Sequence, residues 1–128
     1  MRAAMLRSMV AAGALALAVS DAGAACGGVV KFRPGEAQAS YSGAVAGFDV
    51  CAWRFEARAG QKVTVWLAGS SDLQAILYTG DGREFENGLP LTLARGGAHE
   101  LRVLQPRSAA RRGDRPKPFT LRIAITDR

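Results

Sequence analysis

Polar and apolar side chains alternate with a period of two along most of the chain, the signature of strands that bury one face. In residues 62–67, Val63, Val65 and Leu67 fall on one side and Lys62, Thr64 and Trp66 on the other. Residues 119–126 set Phe119, Leu121, Ile123 and Ile125 against Thr120, Arg122, Ala124 and Thr126. Residues 49–57 align Cys51, Trp53 and Phe55, with Arg54 and Glu56 emerging opposite, and 73–78 and 100–105 are shorter versions. Turn signals separate these runs: Arg33-Pro34-Gly35, Ala59-Gly60, Gly80-Asp81-Gly82, Asn87-Gly88 and Gly96-Gly97. No run after residue 25 carries a helical period with caps. Seven to eight short strands in one domain predict an all-β, antiparallel two-sheet β-sandwich, with a small barrel as the other way to close such strands. Trp53, Phe55, Phe32 and Phe119 are the expected bulky centre.

The first 25 residues follow another pattern. Arg2 and Arg7 precede an apolar stretch, 9–19, and then the small residues Ala22-Gly23-Ala24, as in a cleaved secretory signal peptide. That stretch is too short for a membrane span, which needs about 20 residues. The expected organisation is therefore a signal peptide over 1–25 and a single domain over 26–128, exported to the periplasm. An oxidising compartment favours a disulfide between the two cysteines, Cys26 and Cys51. Lipidation of Cys26 would instead leave Cys51 as a lone thiol, and Gly23 stands where lipoprotein signals usually carry Leu.

Charge changes the picture at one place. The chain carries a formal +6, and loss of the leader removes Arg2, Arg7 and Asp21, leaving +5. Residues 106–118, PRSAARRGDRPKP, hold Arg107, Arg111, Arg112, Arg115 and Lys117 against Asp114 alone, a net +4. The domain is thus a near-neutral body with one basic loop before its last strand. Pro116 and Pro118 should stiffen that loop, which is expected to protrude. Arg107 and Arg111 are separated only by Ser108, Ala109 and Ala110, small residues that let both guanidinium groups reach outward. Arginine's planar fork suits a desolvated carboxylate. Such a loop can be a solvated face, a polyanion-binding element or a plug for the acidic cleft of a partner protein.

Catalysis finds no footing. The one histidine, His99, starts a strand, where a solvated side chain is expected, and no serine elbow accompanies it. One His and two Cys build neither a His-rich zinc site nor a four-Cys site, so no metal or cofactor is expected. Asp81, Glu84, Glu86 and Asn87 lack calcium-loop spacing and read as a solvated hairpin turn, not a catalytic carboxylate pair. Gly96-Gly97 and Gly27-Gly28 open no helix that could cradle phosphate. No aromatic residue interleaves the loop cations for base stacking, so nucleic acid is not an expected partner.

Several segments, in order, resemble the periplasmic inhibitors of g-type (goose-type) lysozyme. They are Phe32-Arg33 with Gly35, Tyr41-Ser42-Gly43, Gly47-Phe48-Asp49, Gly60-Gln61-Lys62-Val63, and above all Glu100-Leu101-Arg102-Val103-Leu104-Gln105 followed by Arg107 and Ala110-Arg111. The resemblance implies a β-sandwich, not an enzyme, that blocks the cleft of a g-type lysozyme and protects peptidoglycan. It implies that an arginine-bearing loop enters the enzyme's active site, and the matching positions are Arg107 and Arg111. Phe48 matches an aromatic contact, and Tyr41, Ser42, Gly43 and Arg112 are the expected secondary contacts. Three departures stand out: Phe48 replaces the family's Tyr, Cys26 and Cys51 lie outside the pattern, and residues 73–89 are shorter and match poorly. A phenol hydroxyl bonded across an interface is worth about 1 kcal/mol. The competing reading is an envelope polyanion- or glycan-binding sandwich with no enzyme target. The expected partner is a g-type lysozyme, with no membrane span, and the sequence leaves the oligomeric state open between a monomer and a weak dimer.

Overall fold

The computed structural model describes residues 26–127, so the signal-peptide reading of 1–25 lies outside the described residues. Eight strands form two four-stranded sheets. They are β1 (Gly27–Val29), β2 (Gln38–Val45), β3 (Cys51–Ala57), β4 (Lys62–Gly69), β5 (Gln74–Leu77), β6 (Leu91–Thr92), β7 (Gly97–Leu104) and β8 (Lys117–Thr126). One sheet has the order β1-β3-β7-β5 and the other β2-β8-β4-β6. This is the expected two-sheet sandwich. The inward rows read from the alternation are buried: Cys51, Trp53 and Phe55 on β3, Val63 and Val65 on β4, Leu101 and Val103 on β7, and Phe119, Leu121 and Ile123 on β8. Trp53 meets Phe119 edge-on at 5.9 Å between ring centroids, and Tyr41 covers Trp53 from the opposite sheet at 5.8 Å. Phe32, expected at the centre, is only partly buried and packs against the core from outside.

One pairing departs from the antiparallel expectation. β1 runs parallel to β3, with Gly27 opposite Ala52 and Val29 opposite Arg54. The cause is covalent. Cys26 and Cys51 form a disulfide with a Cα–Cα distance of 4.9 Å, one residue before β1 and at the first residue of β3. Two strands fastened at their starting ends run the same way. Gly43 on β2 faces this bridge: a Cβ there would lie 2.9 Å from Cys26 Cβ and 2.9 Å from Phe119 Cζ. Only glycine lets β2 close over the disulfide and the ring.

Histidine 99 is a correction. It is buried at 3% exposure, not solvated, and its ring stacks on Phe55 at 5.5 Å. Its Nε2 lies 3.0 Å from the Arg95 carbonyl oxygen, which can only accept, so Nε2 carries the proton. Thr79 Oγ1 accepts the Glu100 backbone N–H at 2.9 Å and lies 3.5 Å from Nδ1, which its hydroxyl can serve. Both ring nitrogens are therefore engaged, and the residue has a structural role.

Reduction of the Cys26–Cys51 bridge, which closes a 25-residue separation, is expected to cost on the order of 3 kcal/mol. The reduced protein should show a lower midpoint of urea unfolding; an unchanged midpoint would mean that the bridge carries no stability.

Candidate functional site

The basic loop begins as one helical turn, α1 (Arg107–Ala110). Sequence periodicity could not reveal it, because four residues carry no period. Pro106, at φ −64°, is the N-cap, and its carbonyl accepts the N–H groups of Ala109 at 3.0 Å and Ala110 at 2.9 Å. The Arg111 N–H closes the turn on the Arg107 carbonyl at 3.0 Å. Ala109 and Ala110 are buried while Arg107 and Arg111 are exposed. Positions four apart share a helix face, so both guanidinium groups leave the same side of a turn whose other side is pinned to the body. The loop does not simply protrude: its first turn is docked.

The rest of the loop is tied down by polar contacts. Gln105, at the end of β7, is buried; its Nε2 donates to the Gly47 carbonyl at 3.1 Å, and its Oε1 accepts from Lys117 Nζ at 2.7 Å. Lys117 Nζ also donates to Asp72 Oδ2 at 2.8 Å, and Arg112 reaches the same oxygen at 3.2 Å. The hydrogen bond from Lys117, against a smaller opposing effect of burial and helped by the charges of Lys117 and Arg112, holds the Asp72 carboxyl below the ordinary aspartate range. This cluster joins the β4–β5 turn, the end of β7, the start of β8 and the β2–β3 turn.

The β2–β3 turn places Phe48 at the same end of the sandwich. Asp49 N–H closes it on the Ala46 carbonyl at 3.0 Å, and Gly47 adopts φ +56°, a conformation that side chains resist. A Cβ on Gly47 would lie 3.8 Å from Asp114 Cβ, so the turn and the basic loop are neighbours. Phe48 is 66% exposed and Val50 39% exposed, two apolar side chains flanking Asp49. Among the described residues, Arg107, Arg111 and Arg115 have no ion-pair partner or side-chain hydrogen bond.

The structure thus brings Arg107, Arg111 and Phe48 to one end. It treats the secondary positions differently. Tyr41 faces inward, its hydroxyl accepting the Lys31 N–H at 2.9 Å, and Gly43 is the close approach to the disulfide. Ser42 alone of that triplet is exposed. Arg112 is paired with Asp72. Three residues escaped the sequence reading. Val50 and Gln105 left a signal, since each breaks the alternation of its strand: an apolar residue facing out and an amide facing in. Asp72 left none.

A pocket of about 220 Å³ lined by Leu77, Leu91, Leu93, Arg95 and His99 has both histidine nitrogens already engaged. Among the described residues, no group of three or more His, Cys, Asp or Glu could hold a metal, and no helix is long and apolar enough to cross a membrane.

No family model matches the chain. An inhibitor of g-type lysozyme from Escherichia coli (strain K12) is 34% identical over 105 residues, spanning 75% of this chain and 78% of that protein. The chain belongs to the g-type lysozyme inhibitor family. Solved structures of g-type lysozyme inhibitors share its fold. The periplasmic inhibitor from Salmonella Typhimurium matches with a TM-score of 0.71 at 29% identity, over 80% of this chain and all (100%) of that one. The Aeromonas hydrophila inhibitor gives 0.67 at 25% identity, over 79% and 96% of the two chains. These relatives are inhibitors, not enzymes.

The Asp72 cluster makes acid sensitivity testable. A carboxyl whose pKa is lowered by folding stabilises the fold above its unfolded value, about 3.9, and loses that contribution as pH falls through the folded value. The urea midpoint of wild type should exceed that of Asp72→Asn at neutral pH, and the gap should close in acid below the ordinary aspartate pKa. A gap independent of pH would mean that the ionised carboxylate is not what matters.

Proposed function

We propose that this protein is a periplasmic inhibitor of g-type lysozyme that seats the turn bearing Arg107 and Arg111 in the enzyme's acidic cleft. The reading includes export by a cleaved leader over 1–25, with 26–128 as the working domain, and protection of peptidoglycan as its outcome. The observation that carries it is the pair of guanidinium groups on one face of a docked turn, neither with a partner among the described residues. The family relationship supports the target.

The mechanism follows from charge and shape. A lysozyme cleft holds carboxylates for acid or base work and accommodates a sugar chain. A guanidinium entering it pairs with a carboxylate where water is scarce and the attraction is stronger than at an open surface. The arginine occupies space a sugar would need and draws down the pKa of the carboxyl it touches. Because Pro106, Ala109 and Ala110 fix the turn beforehand, little conformational freedom is lost on binding. Phe48 and Val50 supply apolar contact at the rim, and aromatic residues beside arginine are the usual makings of an interface hot spot. Absence of a hydroxyl at Phe48 leaves that packing intact. Arg112 acts from within, bracing the loop through Asp72, and Ser42 keeps an outward side chain for a peripheral contact.

Arg107→Ala and Arg111→Ala should each weaken inhibition by about 2 kcal/mol or more, roughly thirtyfold, in a wall-lysis assay against a g-type lysozyme. Both side chains are exposed and unbonded, so the variants should fold. Inhibition should persist at salt that abolishes simple polyanion capture. Wild-type inhibition by the double alanine variant would overturn the assignment, and steep loss with salt would favour an envelope polyanion-binding role.

A further inference from the structure

The turn that carries Phe48 has more than one form open to it. Asp49 N–H bonds the Ala46 carbonyl, so residues 46–49 make a tight turn with Gly47 and Phe48 at its two central positions. Gly47 takes φ +56°, and no described residue other than glycine has a positive φ, which is the pattern of a type II′ turn. The two central residues share one peptide plane, made of the Gly47 carbonyl and the Phe48 N–H. Rotating that plane changes the turn type while the closing hydrogen bond stays in place. Glycine accepts either sign of φ, so Gly47 does not choose among these forms. Each form sends the Phe48 side chain in a different direction.

One hydrogen bond selects the form. Gln105 Nε2 donates to the Gly47 carbonyl at 3.1 Å from 58 residues away in sequence, and among the described residues no other group bonds that oxygen. The amide is itself held. It is 6% exposed, its Oε1 accepts from Lys117 Nζ at 2.7 Å, and the same Nζ donates to Asp72 Oδ2 at 2.8 Å. The two partners demand an amide between them. A carbonyl only accepts and an ammonium only donates, so the linking side chain must donate at one atom and accept at the other. An ionised carboxylate accepts only, and an apolar chain does neither. Pro106 follows Gln105 directly and caps the turn of Arg107 and Arg111. The main chain of Gln105 thus leads into the arginine turn while its side chain holds the peptide plane that aims Phe48.

We propose that Gln105 is a positioning residue for inhibition: by holding the Gly47 carbonyl, its buried amide fixes the direction in which Phe48 is offered to the lysozyme. The inference rests on the reading above, in which Phe48 is part of the contact. Gln105 is buried and acts through Phe48. The arginine turn has its own fastening in Pro106, Ala109 and Ala110, so loss of the amide leaves Arg107 and Arg111 in place.

Two variants separate this role from a general effect on stability. Gln105→Glu keeps an acceptor for Lys117 and loses the donor for Gly47, and Gln105→Met loses both at similar volume. Each should weaken inhibition of a g-type lysozyme about tenfold, a loss of hot-spot size. Phe48→Ala should weaken the wild type by a similar factor and add nothing in either Gln105 background, whereas Arg107→Ala should add its full effect in both. Val63→Ala opens a cavity in the core at the far end of β4, so it should lower the urea midpoint and leave inhibition unchanged. In the free protein the Phe48 amide should show an NMR order parameter of about 0.85 in wild type and below about 0.6 in both Gln105 variants, with the Ala110 amide unchanged. Wild-type inhibition by both Gln105 variants, a full effect of Phe48→Ala in their backgrounds, or an equally ordered Phe48 amide overturns the proposal. Full inhibition by Phe48→Ala in an otherwise wild-type chain, with the order parameters as expected, would instead overturn the contact assigned to Phe48 and leave the tether standing.

Discussion

The end of the sandwich that carries the basic loop depends on one buried amide. Gln105 is buried at the end of the inward row of His99, Leu101 and Val103, so both ends of its side chain must find partners within the protein. Leaving a buried polar group unmade costs about 1–3 kcal/mol, comparable to a large share of a small domain's stability. The amide group takes the Gly47 carbonyl and the amide oxygen takes Lys117. Those two bonds fix the β2–β3 turn against the start of β8, and Lys117 carries the constraint on to Asp72 and Arg112. A sandwich core could not do this, because apolar packing holds sheets together and leaves the loops at their ends free.

The same cluster divides the loop's cations by role. Composition presents five equivalent positive residues, whereas the fold turns Arg112 and Lys117 onto a single carboxylate. Arg107 and Arg111 escape that fate through local geometry: the Pro106 cap and the buried Ala109 and Ala110 set a turn whose exposed side carries both arginines, four residues apart, with the small Ser108. Charge that would otherwise repel itself within a short loop is thus half neutralised in the anchor and concentrated in the presented face. On the proposed reading this suits a specific anionic groove better than diffuse attraction to a polyanion, because Arg107 and Arg111 are held on one face of a docked turn.

How much of this was legible in the sequence varies with the range of the interaction. Rows such as Val63-Val65 and Leu121-Ile123 were readable because each strand's burial follows from its own alternation. The disulfide was readable because two cysteines in a chain whose leader reads as an export signal have one way to pair. What failed depended on partners far away in sequence. His99 reads as a solvated strand start until Thr79 and Arg95 close on its two nitrogens. Tyr41 reads as a surface contact until its hydroxyl meets the chain after β1. Arg112 looks as free as Arg111 until a turn 40 residues earlier delivers Asp72. The parallel β1 was hidden for a related reason, since three residues show no alternation and their direction follows from the bridge and the pairing to a strand some 25 residues away.

The disulfide and the amide act on the same turn from two sides. Cys26 Sγ and Cys51 Sγ lie 3.5 and 3.6 Å from the Ala44 carbonyl oxygen, just before the turn, while Gln105 holds the Gly47 carbonyl within it. Phe48 follows directly and projects into solvent between these fastenings. A large exposed aromatic on a loose turn would collapse onto the nearest apolar surface; held at both flanks, it stays presented beside Val50 and the arginine turn. The disulfide therefore strengthens the presentation of Phe48 that the Gln105 anchor begins. Glycine at 43 is the condition for it, because any side chain there would meet the Cys26 Cβ that the bridge brings against β2.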